Sequence, residues 1–564
     1  MQSRFDTVIS RRIAIFATLF TILIARTGAG QANHIGRDGL VQVPAEVLER
    51  PLPLRDGIGT AHEPVTTSSP EAQAYYDQGI AYLHSYVWIE AARSFNQALR
   101  LDKNLAMAYL GLSYALEELG ASEGAKRASS SALALDEGAT GREQLRIELR
   151  AKQLAASAQP GDPALRADYF KLFDQALEKY PKDVELLLLR GHAHESAQQM
   201  PGMGGGEESL RFYQRALAES PNSFAAHHYL AHAYENLGAI DHALEQAAEY
   251  ARLAPAIAHA HHMFGHSLRR VNRMTDAIAE FRRADELALA YFKSDKIAPQ
   301  YDWQYHHNLD LLGTAYEYTG QMRSAEAVLR RSFELPPIER SEELNQSAWP
   351  LFLLAQGRAE EALAASRALI ARPEGLVQAL GHLLASRVLL TLHRLDEAAE
   401  EGDRALRQMR AIGPMGGVLV PELQVSQGEF LLLKGQAERG RTLLREAIAK
   451  LRADPGPDAW IQTLFTLQEA YRVARNAGEW ALAGELAQQM RQYDPAYGGS
   501  HYAVAQAAER QGNLGLAKEE YKAALQAWRA ADPDLADAAG ARRKLAASDQ
   551  QPVQRPVQHK EQSR

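Results

Sequence analysis

Two pairs of histidines recur at one interval. His228 and His262 are 34 residues apart, and so are His232 and His266. A period of 34 is that of a helix–turn–helix unit which cannot bury its apolar face alone and must stack on copies of itself. A chain built this way forms an array of helix pairs rather than one central core. Within each copy the two histidines are four apart, so they share one helix face.

Other residues keep the same register. Gly79, Tyr82, Ala91, Phe95 and Ala98 mark a first copy, and Gly111 and Tyr114 a second. The small residues let paired helices approach, and the large ones fill the space between them. Later copies are marked by Gly191, by helices starting at Phe224 and Ala258, and by Gly313, Tyr316 and Ala325 in a copy starting at His306. A linker over 288–304 is expected before that last copy. Residues 201–206 (PGMGGG) form a surface loop; with no preceding strand and no Gly-Lys-Ser/Thr ending, they are not a phosphate cradle.

The ends are different in kind. Arg4, Arg11 and Arg12 precede an apolar run from Ile13 to Ala25, and small residues follow. The run is shorter than the ~20 residues a spanning helix needs, so residues 1–32 read as a signal peptide, cleaved after Ala29 or Ala32. An uncleaved anchor is the alternative. Ordinary secretory export leads, and Ser10-Arg11-Arg12 leaves twin-arginine export open. The expected location is the periplasm or the medium, with no membrane span in the mature chain. Residues 33–68 lack a helical period and read as an extended, partly disordered linker. An N-terminal array over 69–335 precedes a degenerate helical array over 336–547 and a polar, disordered tail over 548–564. Ser69 and Pro70 suit a helix cap and first turn.

Gly79–Tyr86 (GIAYLHSY) and Ala106–Gly111 (AMAYLG) resemble the opening helices of secreted bacterial tetratricopeptide-repeat (TPR) proteins, which carry a Gly-x-x-x-Leu-His-Ser-aromatic helix. The likeness continues through Arg142–Ala151, Tyr169–His194 and the histidine-rich copies, and fades beyond about residue 335. It implies an all-α TPR-type solenoid and export, and leaves activity undefined.

In a TPR solenoid the first helix of each pair lines the concave face, with positions 2, 5, 9, 12 and 13 turned to the ligand. His192, His228, His232, His259, His262, His266, Arg269, Arg270, His307 and Asp310 fall at such positions and are expected to line one partner-binding groove. His227 and His261 fall at a packing position and read as core-edge residues; His194 and His306 read as structural or solvent-facing. His84 faces the groove far along the superhelix and is expected to cap or pack locally. A transition metal is the alternative occupant, on His228, His232, His262, His266 and His307, with Asp310 as a possible addition. Glu195 and Glu235, with His192, would orient the imidazoles. Imidazole ligation suits Zn, Cu, Ni or Fe, and with no cysteine in the chain no thiolate competes. A net charge of -8 gives no footprint for nucleic acid.

Three functions remain: an exported interaction protein gripping a peptide or protein, a metal-binding or metal-delivery protein using the same groove, and a metal-dependent enzyme. The chain holds no HExxH, G-x-S-x-G or Walker motif.

Overall fold

The computed structural model describes residues 43–195, 205–335, 345–372, 375–417, 419–453 and 460–549, and among them every regular element is helical. The expected signal segment, Pro336-Pro337 and the tail beyond residue 549 lie outside the described residues. In chain order the helices longer than four residues are α1 Pro70–His84, α2 Trp88–Leu101, α3 Ala106–Glu118, α4 Ser122–Leu133, α5 Gly141–Ala158, α6 Pro163–Lys179, α7 Val184–Glu195 and α8 Glu207–Glu219. There follow α9 Phe224–Asn236, α10 Ile240–Leu253, α11 Ala258–Arg270, α12 Met274–Asp295, α13 Trp303–Thr319, α14 Met322–Glu334, α15 Ala348–Ala355 and α16 Ala359–Ile370. The last nine are α17 Gly375–Thr391, α18 Leu395–Ile412, α19 Val420–Leu433, α20 Ala437–Ala453, α21 Trp460–Asn476, α22 Trp480–Tyr493, α23 Gly498–Arg510, α24 Leu514–Ala527 and α25 Ala536–Asp549.

Consecutive helices pair, and pairs stack in chain order. The pairing contact is the one the small residues dictate. A Cβ on Gly191 would lie 2.3 Å from the Tyr213 ring, and one on Gly265 would lie 2.8 Å from Phe281. The first helix of each of these pairs therefore comes close enough for an aromatic of the second to rest on its backbone. Ser69 caps α1 by accepting from the Ala72 N–H, and Pro70 occupies the first turn.

Two expectations change. The linker over 288–304 is largely helix: Ala284, Ala288 and Phe292 continue the buried stripe of α12 as far as Asp295. A helix start at Trp303, capped by Asp302, then adds a turn ahead of the repeat register at His306. The linker before α1 is ordered where it is described, as a helical turn at Ala45–Leu48 followed by extended chain. Leu52 and Ile58 are buried, the Gly57 carbonyl accepts from the Ala256 N–H at 2.8 Å, and Glu63 is paired with both Arg142 and Arg146. The segment is a strap that ties the first helix pair to α5 and to the loop between α10 and α11.

The solenoid curls tightly. The end of α1 meets α9, four pairs on: the His84 ring lies 2.9 Å from the Tyr229 hydroxyl. Four pairs beyond α13, Gln462 of α21 lies 3.5 Å from Asp310. Two main apolar cores overlap, one running from Val47 to Leu309 and the other from Leu268 to Val504. Among the described residues no helix is long and apolar enough to cross a membrane.

Candidate functional site

The histidine positions become a lattice of two trios. Each is made of positions 5 and 9 of one inner helix and position 2 of the next. The first trio is His228 and His232 of α9 with His259 of α11. The second is His262 and His266 of α11 with His307 of α13. Helices pack side by side with a rotation between neighbours. Position 2 of a later helix therefore turns back toward positions 5 and 9 of the earlier one.

In the first trio the Nε2 atoms of His232 and His259 lie 3.2 and 3.0 Å from Nε2 of His228. One ligand atom from each of the three lies within 4.8 Å of the others, and no other set of three His or acidic groups among the described residues comes together this closely. His228 Nδ1 lies 2.6 Å from the His84 backbone carbonyl. Nδ1 must donate there, so in the neutral ring Nε2 carries the lone pair. Burial, reinforced by the neighbouring imidazoles, holds the pKa of both His228 and His259 well below the usual histidine range. Tyr86, at φ +58, places its ring 4.5 Å from that of His228 and 5.6 Å from that of His259. The Tyr250 ring stacks on His228 from 4.6 Å. Only His232 of the three is partly exposed.

The second trio is wider. His262 lies 5.9 Å from His266 and 5.0 Å from His307 between ring centroids, and His266 lies 6.3 Å from His307. Glu235 meets His266 Nδ1 at 2.5 Å, and Asn308 Oδ1 lies 3.2 Å from His262 Nδ1. The His259 and His262 rings stack at 5.6 Å and join the two trios.

The expected metal set is therefore divided. His228 and His232 converge with His259, which was placed only in the groove, while His262, His266 and His307 form the neighbouring patch. His228, His259, His262 and His266 are buried rather than displayed on an open face. Arg269 is wholly buried in the body of the solenoid, while Arg270 is half-buried. His192 packs 6.3 Å from Tyr229, beside the first trio and outside it. Asp310 is buried near Gln462. The side chains of His194 and Glu195 lie outside the described ones. His227 and His261 bridge within their repeats, to Gln246 and Pro221 and to Glu280 and Pro255. His306 is fully buried.

Two participants escape a reading by repeat position. His84 is not remote: it bridges Tyr229 and Glu185, at 2.9 and 2.8 Å, and its carbonyl holds His228. Tyr86 covers the trio. The Leu83-His84-Ser85-Tyr86 segment was the available signal, but only the tight curl brings it to α9.

No family model matches the chain, and no curated protein matches its sequence. Solved structures do. YrrB, a TPR protein with an unusual peptide-binding site, is 16% identical with a TM-score of 0.26, over 37% of this chain and 96% of its own. A tetratricopeptide repeat protein from Parabacteroides merdae is 15% identical at 0.36, over 50% and 99%. A human IFIT1 dimer with m7Gppp-AAAA is 12% identical at 0.34, over 83% and 92%. The fold is a TPR-type α-solenoid. The 34-residue period, the helix pairing and the glycine–aromatic contacts all carry that statement.

Proposed function

We propose that this protein is an exported TPR-type binding protein whose groove holds a transition-metal ion on His228, His232 and His259. The observation that carries the reading is the convergence of three Nε2 atoms beside an imidazole whose other nitrogen is fixed. Metal–imidazole bonds of about 2.0–2.1 Å at tetrahedral or octahedral angles put neighbouring ligand nitrogens about 2.9–3.4 Å apart. The separations of 3.0 and 3.2 Å fall in that range. The single lone pair on His228 Nε2 can accept well from only one neighbour at a time. An ion between the rings uses all three lone pairs at once. The His84 carbonyl supplies the outer hydrogen bond that orients a ligating histidine. Neutral imidazoles are the ligating form, and burial favours it. Three nitrogen ligands and a partly exposed edge at His232 suit Zn, Cu(II), Ni or Fe(II). Export is supported by the charged start and the apolar run of residues 13–25.

The test is calorimetric titration of metal-free protein with Zn(II), Cu(II), Ni(II) and Fe(II). Saturation near one equivalent, lost on His259→Ala, supports the reading; no saturable binding of any of the four sinks it. A second reading makes the groove a peptide-binding surface. The second trio favours it, since its His307 and the nearby Arg270 are only half-buried. Peptide capture without bound metal would support that reading.

A further inference from the structure

Beyond the second trio lies a cavity of about 320 Å³ among α13, α15, α17, α19 and α21. Arg387 of α17 lines it and is 2% exposed, yet its Nη2 has no hydrogen-bond partner among the described residues. Gln462 of α21 lines the same cavity. Its Nε2 faces Asp310 Oδ2 at 3.5 Å, which fixes the amide orientation and leaves Oε1 buried without a partner among the described residues. One buried donor and one buried acceptor thus stand unsatisfied on two residues that line the same space. Native interiors rarely leave such groups unmatched, and a ligand is one way to match them.

The surroundings narrow the ligand. Leu351, Leu380, Leu419 and Phe465 give the cavity an apolar wall. Asp310 and Glu317 stand on the Gln462 side, on α13. Burial pushes the Glu317 carboxyl up to about 7, although Arg472 works against the rise. A cation placed there recovers the cost of ionising it. The volume is that of a small molecule rather than a folded partner.

We propose that this cavity binds a small zwitterion with an apolar side chain, of the amino-acid class. Its carboxylate is held by Arg387, its ammonium by Gln462 Oε1 and the carboxylates of α13, and its hydrocarbon by the leucine wall. The site is separate from the first histidine trio and does not depend on metal. A free amino acid and a short dipeptide share this chemistry.

The test is calorimetry on the full chain with four probes: L-leucine, the dipeptide Leu-Leu, 4-methylpentanoate, which lacks the amine, and isoamylamine, which lacks the carboxylate. At least one zwitterion binds, and both single-charge probes bind at least tenfold more weakly. Arg387→Gln and Gln462→Leu each weaken the zwitterion at least tenfold. Saturation by leucine alone identifies the free amino acid, and by Leu-Leu alone the peptide. Absence of saturable heat with both zwitterions overturns the proposal. So does equal binding of 4-methylpentanoate, or affinity unchanged in the variants. Should Arg387→Gln fail to fold, Gln462→Leu, which removes only the acceptor and the amide, decides alone.

Discussion

His228 Nδ1 donates to the backbone carbonyl of His84 at 2.6 Å, across 144 residues of sequence. This contact joins the first helix pair to the fifth, and it also decides which nitrogen of His228 faces the other two imidazoles. Structure and site are thus coupled at one hydrogen bond.

Replacing His228 should therefore cost stability even without metal. It is fully buried, stacks on Tyr250 and satisfies the His84 carbonyl. His228→Ala should lower unfolding free energy by about 2–4 kcal/mol, combining a cavity with an unpaired acceptor. His232→Ala, at the partly exposed edge, should cost under about 1 kcal/mol. Urea midpoints of metal-free protein measure both. Equal small effects would mean that His228 is not built into the packing.

The ligand set can be separated by single substitutions. Removing His259 should weaken metal affinity at least ~100-fold, because it takes away one of three ligands. Removing His262, whose ring lies in the neighbouring trio, should weaken it by no more than ~10-fold, the lower end of outer-shell effects. Competition against a chromogenic chelator reports the ratio. A larger loss at His262 would place the ion in the second trio.

The repeat itself was legible because glycine–aromatic contacts sit at fixed positions. Gly79, Gly191, Gly265 and Gly313 each lie against a large side chain of their own pair's second helix, and Gly111 lies against Phe95 of the preceding pair. The groove positions of His228 and His232 follow from the same count. His259 could not be joined to them by counting alone, since the rotation between α9 and α11 is a property of stacking. The place of His84 and Tyr86 depends on small rotations accumulated over four pairs. The strap looked unstructured because its order comes from distant partners, such as Ala256 for Gly57 and Arg146 for Glu63, and from no period of its own.

Overpacking tests the helix-pair contact. Ala277 is fully buried, and its carbonyl lies 3.2 Å from where a Cβ on Gly265 would stand. Ala277→Leu should destabilise by about 1–3 kcal/mol. A neutral urea midpoint would contradict the close approach of α11 and α12.

The strap is held by a buried charge cluster. Glu63 serves both Arg142 and Arg146, and Arg146 also reaches Glu185 at 3.3 Å. Glu63→Gln leaves Arg142 only its pair with Asp183 and Arg146 only the longer contact to Glu185, and should cost about 1–3 kcal/mol. Limited proteolysis should then cut within residues 49–68 well before the helices. Unchanged resistance would mean the strap is anchored elsewhere.

Stability should fall as pH rises from about 4.5 to about 8. Burial, with Glu469 adding repulsion and Arg387 opposing it, pushes the Glu429 carboxyl up to about 8 from an ordinary value of 4.5. Between those values the folded state holds a proton that the unfolded state releases, so stability decreases as pH rises through the window. Glu429→Gln should flatten the loss between pH 5 and 9 by on the order of 2 kcal/mol, allowing for partial solvent screening. Parallel melting curves for both proteins would contradict the burial argument.

The most direct measurement is the metal content of protein expressed as the full chain and purified without chelator or affinity metal, beside His232→Ala and His259→Ala. The trio predicts about one equivalent of a transition metal in the parent and a loss in both variants that stay folded. A parent empty even after exposure to Zn, Cu, Ni and Fe(II), or one whose metal survives both substitutions, would contradict a metal centre at His228, His232 and His259.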